Sequence, residues 1–354
     1  MIQISKNISY TFLLLAAFFM LPNFVSAAAP TISGVTGTVA TGQTLTITGT
    51  NMVQENTTNW QSMFKTSAYG FEGSSFTSDG YAGAGGTGNC PACTATYDSS
   101  VKLMGSKSSK FHVEGASIAD SSGQKGSSAN VNESQGNYYI RAYFLYNNTG
   151  GSWPDTALKE FLFSGPACGL YIQPNTHSAL CDPYTGLCGS FPNGGIENNR
   201  WYLVEIHYNS SSGIAEFWLD NNYVGSESSS GSNLVCAIHS LEFGIINTFT
   251  TSSGFALDNY FDGLTVSSSR VYPASTVEIS NHATYGSGTK LYQQPVYLSD
   301  GSVQIKVNLS GLGSGPYYLY VTNNGQTTSA PYNLSGGGGG DTTAPAAPTG
   351  LRVQ

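Results

Sequence analysis

Charge is scarce in this chain. Lysine and arginine number 13, and aspartate and glutamate 21, among 354 residues, for a net charge of −8. A nucleic-acid binder needs clustered cations to displace counterions from phosphates, and no basic run occurs, so that class is set aside. An anionic membrane surface is set aside for the same reason. Long apolar runs are missing beyond the first 29 residues, so no span is expected in the mature chain. Sustained 3.6-residue apolar periodicity is rare as well, which leaves little room for helix. Neither G-x-S-x-G nor H-E-x-x-H is present, nor a phosphate-cradling glycine loop ahead of a helix. The glycine-rich stretch GYAGAGGTGNC at 80–90 lacks that strand–helix setting and reads as a loop.

Glycine (43), tyrosine (22) and phenylalanine (17) are plentiful, and serine, threonine and asparagine fill the polar positions. Aromatic and β-branched side chains suit pleated surfaces, so the chain is expected to be all-β. Residues 1–29 have the layout of a secretory leader. Lys6 opens it, an apolar stretch interrupted by Pro22 follows, and Ser26-Ala27-Ala28-Ala29 offers small residues for cleavage. A secreted or cell-surface location follows, and in that setting six cysteines point to disulfides. Proximity pairs Cys90 with Cys93 and Cys181 with Cys188, leaving Cys168 with Cys236; other pairings stay open. A metal site at C-P-A-C would want a second pair of ligands at matching spacing, and none is found.

Two distant segments look like parts of one small sandwich. GVTGTVATGQTLTITGTN near the start alternates small polar and β-branched residues around Ala40-Thr41-Gly42. GSVQIKVNLSGLGSGPYYLYVTNNG near the end gives two further strands, with Val303, Ile305 and Val307 on one side. Roughly 240 residues separate the two, too many for a loop in a compact domain, so a second domain is inserted. The joined pieces, 30–60 plus 276–334, resemble the bacterial IPT/TIG immunoglobulin-like domain, which implies a spacer or adhesion module. Residues 335–354 are expected to be a flexible glycine-rich tail whose end resembles the start of a fibronectin III repeat.

The insert, 64–275, carries short alternating runs at sandwich-like spacing. WYLVEIHYNSSSGIAEFWLDNNYVGS at 201–226 is the most informative. Matching its apolar faces sets Ile206 near Ala215 and Val204 near Phe217, which puts Glu205 beside Glu216 and Leu203 beside Trp218 on the other face. Tyr139, Arg141 and Tyr143 share one face of the strand at 138–146. This hairpin, with AYGFEGSSF and NYFDGLTV at the ends, resembles the concanavalin A-like lectin and glucanase superfamily, also seen in laminin-G-like jelly rolls. The expected fold is therefore a jelly-roll β-sandwich inserted into a discontinuous immunoglobulin-like β-sandwich. The resemblance implies a concave sheet face that takes a polysaccharide or cell-surface glycan through Tyr139, Arg141, Tyr143, Glu205, His207, Glu216 and Trp218. Aromatic faces would stack on sugar rings and forked polar groups would satisfy hydroxyls. It also implies a structural Ca²⁺ between Glu72 and Asp262, since hard cations take carboxylate oxygens.

Hydrolases of this superfamily carry E-x-D-x-E on one strand, and no such motif occurs. Glu205-Ile206-His207 only partly echoes the Gln-Ile-His of alginate lyases. The first expectation is thus non-catalytic carbohydrate binding. A polysaccharide lyase or glycoside hydrolase, and a structural subunit of a surface layer or adhesin, are the alternatives.

Overall fold

The computed structural model describes residues 28–53, 71–81, 93–114, 125–130, 137–150, 161–165, 168–173, 179–181, 188–190, 197–209, 211–212, 214–228, 240–245, 256–267, 270, 272–324 and 326–335. Every regular element among them is a strand. The chain opens with β1 (Thr31–Gly37) and β2 (Thr44–Thr50). Next come β3 (Thr94–Asp98), β4 (Ser108–Glu114), β5 (Lys125–Asn130), β6 (Asn137–Gly150), β7 (Phe161–Gly165) and β8 (Cys168–Gln173). They are followed by β9 (Ala179–Cys181), β10 (Cys188–Ser190), β11 (Arg200–Asn209), β12 (Ile214–Leu219) and β13 (Asn222–Ser228). Then come β14 (Ser240–Ile245), β15 (Ala256–Ser267), β16 (Ser275–Ser280) and β17 (Lys290–Tyr292). The last are β18 (Gln294–Ser299), β19 (Ser302–Lys306), β20 (Tyr318–Asn323) and β21 (Tyr332–Asn333).

These strands form two antiparallel sandwiches. One has a six-stranded sheet, β10-β9-β8-β7-β14-β5, facing a seven-stranded sheet, β13-β12-β11-β6-β15-β4-β3. Its core holds Phe111, Ile140, Phe144, Ile206, Phe217, Phe243 and Phe261, the apolar positions that alternation assigns to one face. The other sandwich has sheets β1-β2-β19-β18 and β17-β16-β20-β21. There β2 pairs with β19, setting Ile47 opposite Val303 and Leu45 opposite Ile305, all fully buried. The beginning and the end of the chain thus share one sheet, and the jelly-roll strands lie between them in sequence.

The hairpin of β11 and β12 sits two residues away from the register expected from its apolar faces. Ile206 opposes Phe217, Val204 opposes Leu219, Glu205 opposes Trp218 and His207 opposes Glu216. The cause is the loop. Asn209 pairs with Ile214, and its side-chain oxygen accepts the N–H groups of Ser211 and Ser212 at 3.0 and 3.1 Å. This Asx-type turn holds a four-residue connection where the apolar matching implied two. A two-residue shift keeps every side chain on its face. The next turn, Asp220-Asn221, has φ of 49° and 62°, the geometry of a tight I′ hairpin, which Asn adopts without the usual glycine.

The core of this second sandwich does not end at its own strands. Tyr143, Leu145, Trp201, Leu203 and Tyr260, on the outer face of the seven-stranded sheet, belong to the same buried cluster as Leu298, Ile279 and Val303. Leu103 and Met104 join them: the Leu298 N–H donates to the Leu103 carbonyl at 2.8 Å, and Met104 bridges Leu298. The fully buried Asp262 carboxylate accepts the N–H groups of Leu103, Met104 and Gly263 at 2.7, 2.8 and 2.8 Å. Gly263 has φ +55°, and a Cβ there would meet the Met104 sulfur at 2.9 Å, so a larger residue would be strained twice over.

Cys181 and Cys188 are direct partners across β9 and β10. Cys93 is disulfide-bonded. Cys90, Cys236, residues 1–27 of the leader and residues 336–354 of the tail lie outside the described residues. Among the described residues, no helix is long and apolar enough to cross a membrane.

Candidate functional site

Strand alternation brings all seven expected glycan contacts to one face of the seven-stranded sheet. Across β6 and β11, Tyr139 opposes His207, Arg141 opposes Glu205 and Tyr143 opposes Leu203. Across β11 and β12, Glu216 opposes His207 and Trp218 opposes Glu205.

Burial then divides the set. Arg141, Tyr143 and Glu205 are 0%, 0% and 3% exposed, so the open groove expected along the whole face is corrected to a covered one. The reason is the second sandwich: β18 lies against β11, and the shared apolar cluster seals the middle of the face. Arg141 works inside the protein. Its guanidinium donates to the Tyr272 carbonyl at 2.8 Å, the Thr265 hydroxyl at 3.2 Å and the Gly263 carbonyl at 3.5 Å. It thereby ties the segment leaving β15 to the strand itself.

The remaining four residues form a half-exposed patch at one end of the face. Tyr139 stacks on His207 with ring centroids 4.1 Å apart and planes 5° from parallel. His207 Nδ1 lies 2.6 Å from Glu216 Oε2. Trp218 tilts against Tyr223 at 5.5 Å. Two further residues complete the patch: the Arg270 guanidinium lies over the Trp218 ring at 4.5 Å and over the Tyr272 ring at 4.8 Å. Sequence reasoning did not reach Arg270 or Tyr272, because they follow the last jelly-roll strand, where alternation no longer says which way a side chain faces. The one available signal was a lone cation in SSSRVY, in a chain poor in arginine and lysine.

Beneath the patch lies Glu205. Arg270 Nη2 is 3.8 Å from Glu205 Oε2, and neither Glu205 oxygen has a hydrogen-bond partner. Burial pushes this carboxyl up to about 7, with Arg270 and then Arg141 pulling the other way. Burial, then Glu216, also raises the Tyr139 phenol.

Chemically, the patch offers flat aromatic surfaces, a guanidinium fork and a His–carboxylate pair. It does not offer paired acids. Glu205 and Glu216 were expected side by side; the register sets Trp218 opposite Glu205 instead, while Glu216 engages His207.

The expected calcium ligands are also engaged otherwise. Glu72 accepts the Ser106 N–H at 3.0 and 2.9 Å, the Ser106 hydroxyl and, at 3.4 Å, the Lys107 N–H. With Asp262 likewise facing three N–H donors, both carboxylates hold the 103–107 loop. A hard cation needs ~6–8 oxygens, and the described contacts of these two carboxylates are N–H and hydroxyl donors. Among the described residues no group of three or more His, Cys, Asp or Glu is placed to hold a metal.

No protein-family model matches the chain, and no curated protein matches its sequence. Among solved structures, it is similar to the endo-beta-1,4-glucuronan lyase of the fungus Trichoderma reesei (TM-score 0.38, 14% identity, 53% of this chain and 94% of that one). It is also similar to a family 7 alginate lyase, A1-II', in complex with substrate (TM-score 0.36, 13% identity, 45% and 77% covered). A third likeness is domain 4 of AbnA, a GH43 extracellular arabinanase from Geobacillus stearothermophilus, in complex with arabinotriose (TM-score 0.35, 14% identity, 54% and 91% covered). Likenesses at these scores assign this chain neither an activity nor a ligand.

Proposed function

We propose that this is an exported carbohydrate-binding protein whose ligand rests on the half-exposed patch of Tyr139, His207, Glu216, Trp218 and Arg270. The observation that carries this reading is the Arg270 guanidinium lying over both the Trp218 and Tyr272 rings, on the same sheet face as the parallel Tyr139–His207 pair. Aromatic surface and hydrogen-bonding groups left partly open on a sheet face suit a sugar, which has apolar C–H faces and a rim of hydroxyls. The leader-like first 29 residues and the cysteines support export. Affinity electrophoresis of the full chain through a panel of neutral and acidic polysaccharides tests the reading. Trp218→Ala is expected to weaken retention about tenfold, the loss of one stacking contact. Retention by no polysaccharide, or retention indifferent to Trp218→Ala, would sink it.

One observation favours a second reading, a polysaccharide lyase. The His207–Glu216 pair at 2.6 Å, stacked on a tyrosine, is the kind of group that removes a proton next to a carboxylate-bearing carbon. Ultraviolet absorbance from unsaturated products on incubation with uronate polymers, lost in His207→Ala, would replace the first reading with this one.

A further inference from the structure

Arg270 is held firmly and yet within reach of solvent. Its guanidinium lies over two aromatic rings, Trp218 and Tyr272, and its side chain remains 32% exposed. Its one ion-pair partner among the described residues is Glu205, at a long 3.8 Å. Both Glu205 oxygens and the Arg270 Nε are buried without a hydrogen bond. A guanidinium presents five N–H donors in a rigid fork that matches a carboxylate in two-point geometry. Here the fork is preoriented by stacking, while the acid below it makes none of those bonds.

We propose that Arg270 is the residue by which the patch selects glycans bearing carboxylates, uronic-acid polymers, and that the ligand carboxylate replaces Glu205 as its counter-ion. This rests on the glycan-binding reading above and names the ligand class.

The surroundings of Glu205 make the exchange depend on pH. Arg141 faces it from β6, Arg270 from the segment after β15 and the Tyr292 phenol from β17. From β12 its direct partner is the uncharged Trp218, and Glu216 is taken by His207. The net effect of burial over these cations is a carboxyl that titrates at about 7. Below that pH Glu205 is neutral and leaves the Arg270 charge to the ligand. Above it, the Glu205 carboxylate competes. Sugar carboxylates stay ionised throughout this range; because the His207 imidazole lies in the same patch, Glu205→Gln is the variant that isolates the Glu205 contribution.

The test is calorimetric titration of the full chain with polygalacturonate and, separately, with an uncharged β-glucan. It is run at about pH 5.5 and about pH 8.5, either side of the Glu205 midpoint. Polygalacturonate is expected to bind about fivefold more weakly at the higher pH, the worth of one partly exposed ion pair, with no change for β-glucan. Glu205→Gln should keep the tighter affinity at both pH values. Arg270→Gln should lose the preference for polygalacturonate and retain β-glucan. Equal polygalacturonate affinity in Arg270→Gln, or a wild-type affinity that does not fall with pH, overturns the proposal. Should Glu205→Gln fail to fold, the pH contrast is repeated in His207→Gln, whose polygalacturonate affinity should still fall at the higher pH; a flat profile there overturns the proposal. Binding of β-glucan without any charge preference sinks this inference and leaves the glycan reading standing; binding of neither polymer takes down both.

Discussion

The two halves of one sheet face are built alike and end up differently. On β6, β11 and β12 the same alternation delivers Tyr139, His207, Glu216 and Trp218 to one end of the face and Arg141, Tyr143, Leu203 and Glu205 to its middle. The middle is sealed under the second sandwich, and the end is left half open. Residue type did not decide this, since both halves mix aromatics with charged groups. Cover by the second sandwich decided it. In the sealed half Arg141 finds its partners inside the protein, through three oxygens, while both Glu205 oxygens go without a hydrogen bond. In the open half, water or a ligand can supply them.

The contrast is most exposed to challenge at the two tryptophans. Trp201, 6% exposed in the shared core, should cost about 3–5 kcal/mol on replacement by alanine. Trp218→Ala, at the open end, should cost about 1 kcal/mol or less while weakening ligand retention. Urea unfolding of both variants checks this, and similar losses would mean the two halves are not differently covered.

Glu205 sits on the boundary, and its pH dependence sharpens the comparison. Its carboxyl is raised in the folded chain to about 7 from an ordinary 4.5, so the folded state holds a proton that the unfolded state releases. The stability it contributes is fully present below about pH 4.5 and falls as pH rises to about 7, by on the order of 3 kcal/mol. Subtracting the Glu205→Gln profile from the wild-type one should isolate that fall. A flat difference would place Glu205 in water and the boundary elsewhere.

The smallest effect is expected at the β12–β13 turn, whose backbone bonds to Leu203 on the sealed side while Asn221 itself faces water. Asn221→Gly relieves a positive φ of 62° and should change stability by no more than about 1 kcal/mol, in the stabilising direction. A larger loss on thermal unfolding would show that the Asn221 side chain is doing more than tolerating the turn.

Much of this architecture was legible in the residues, and the failures have physical causes. Facing positions were readable because the two-residue period of a strand is strict: Ile206 and Phe217 face the core and Glu205 and Trp218 face away, whatever the register. The register itself was not readable, because the Asn209 side chain stabilises a longer loop than apolar matching alone suggests. The pairing of Ile47 with Val303 was foreshadowed by matching strand patterns at the two ends of the chain. The burial of Arg141 and Tyr143 was not, since a strand pattern shows two faces and says nothing of what lands on them. Arg270 was missed for a related reason: its role comes from where an irregular segment folds back, and no local periodicity encodes that.

The union of β2 with β19 sets an order of events during synthesis. β2 leaves the ribosome and then waits while roughly 250 further residues are made, on the order of ten to fifty seconds at ~5–20 residues per second. The inserted sandwich has all its strands in hand before that wait is over. It can collapse first, and in doing so bring the two flanking segments close enough to shorten the search the outer strands must complete. The sheet that holds β2 is therefore completed only once β19 has been made.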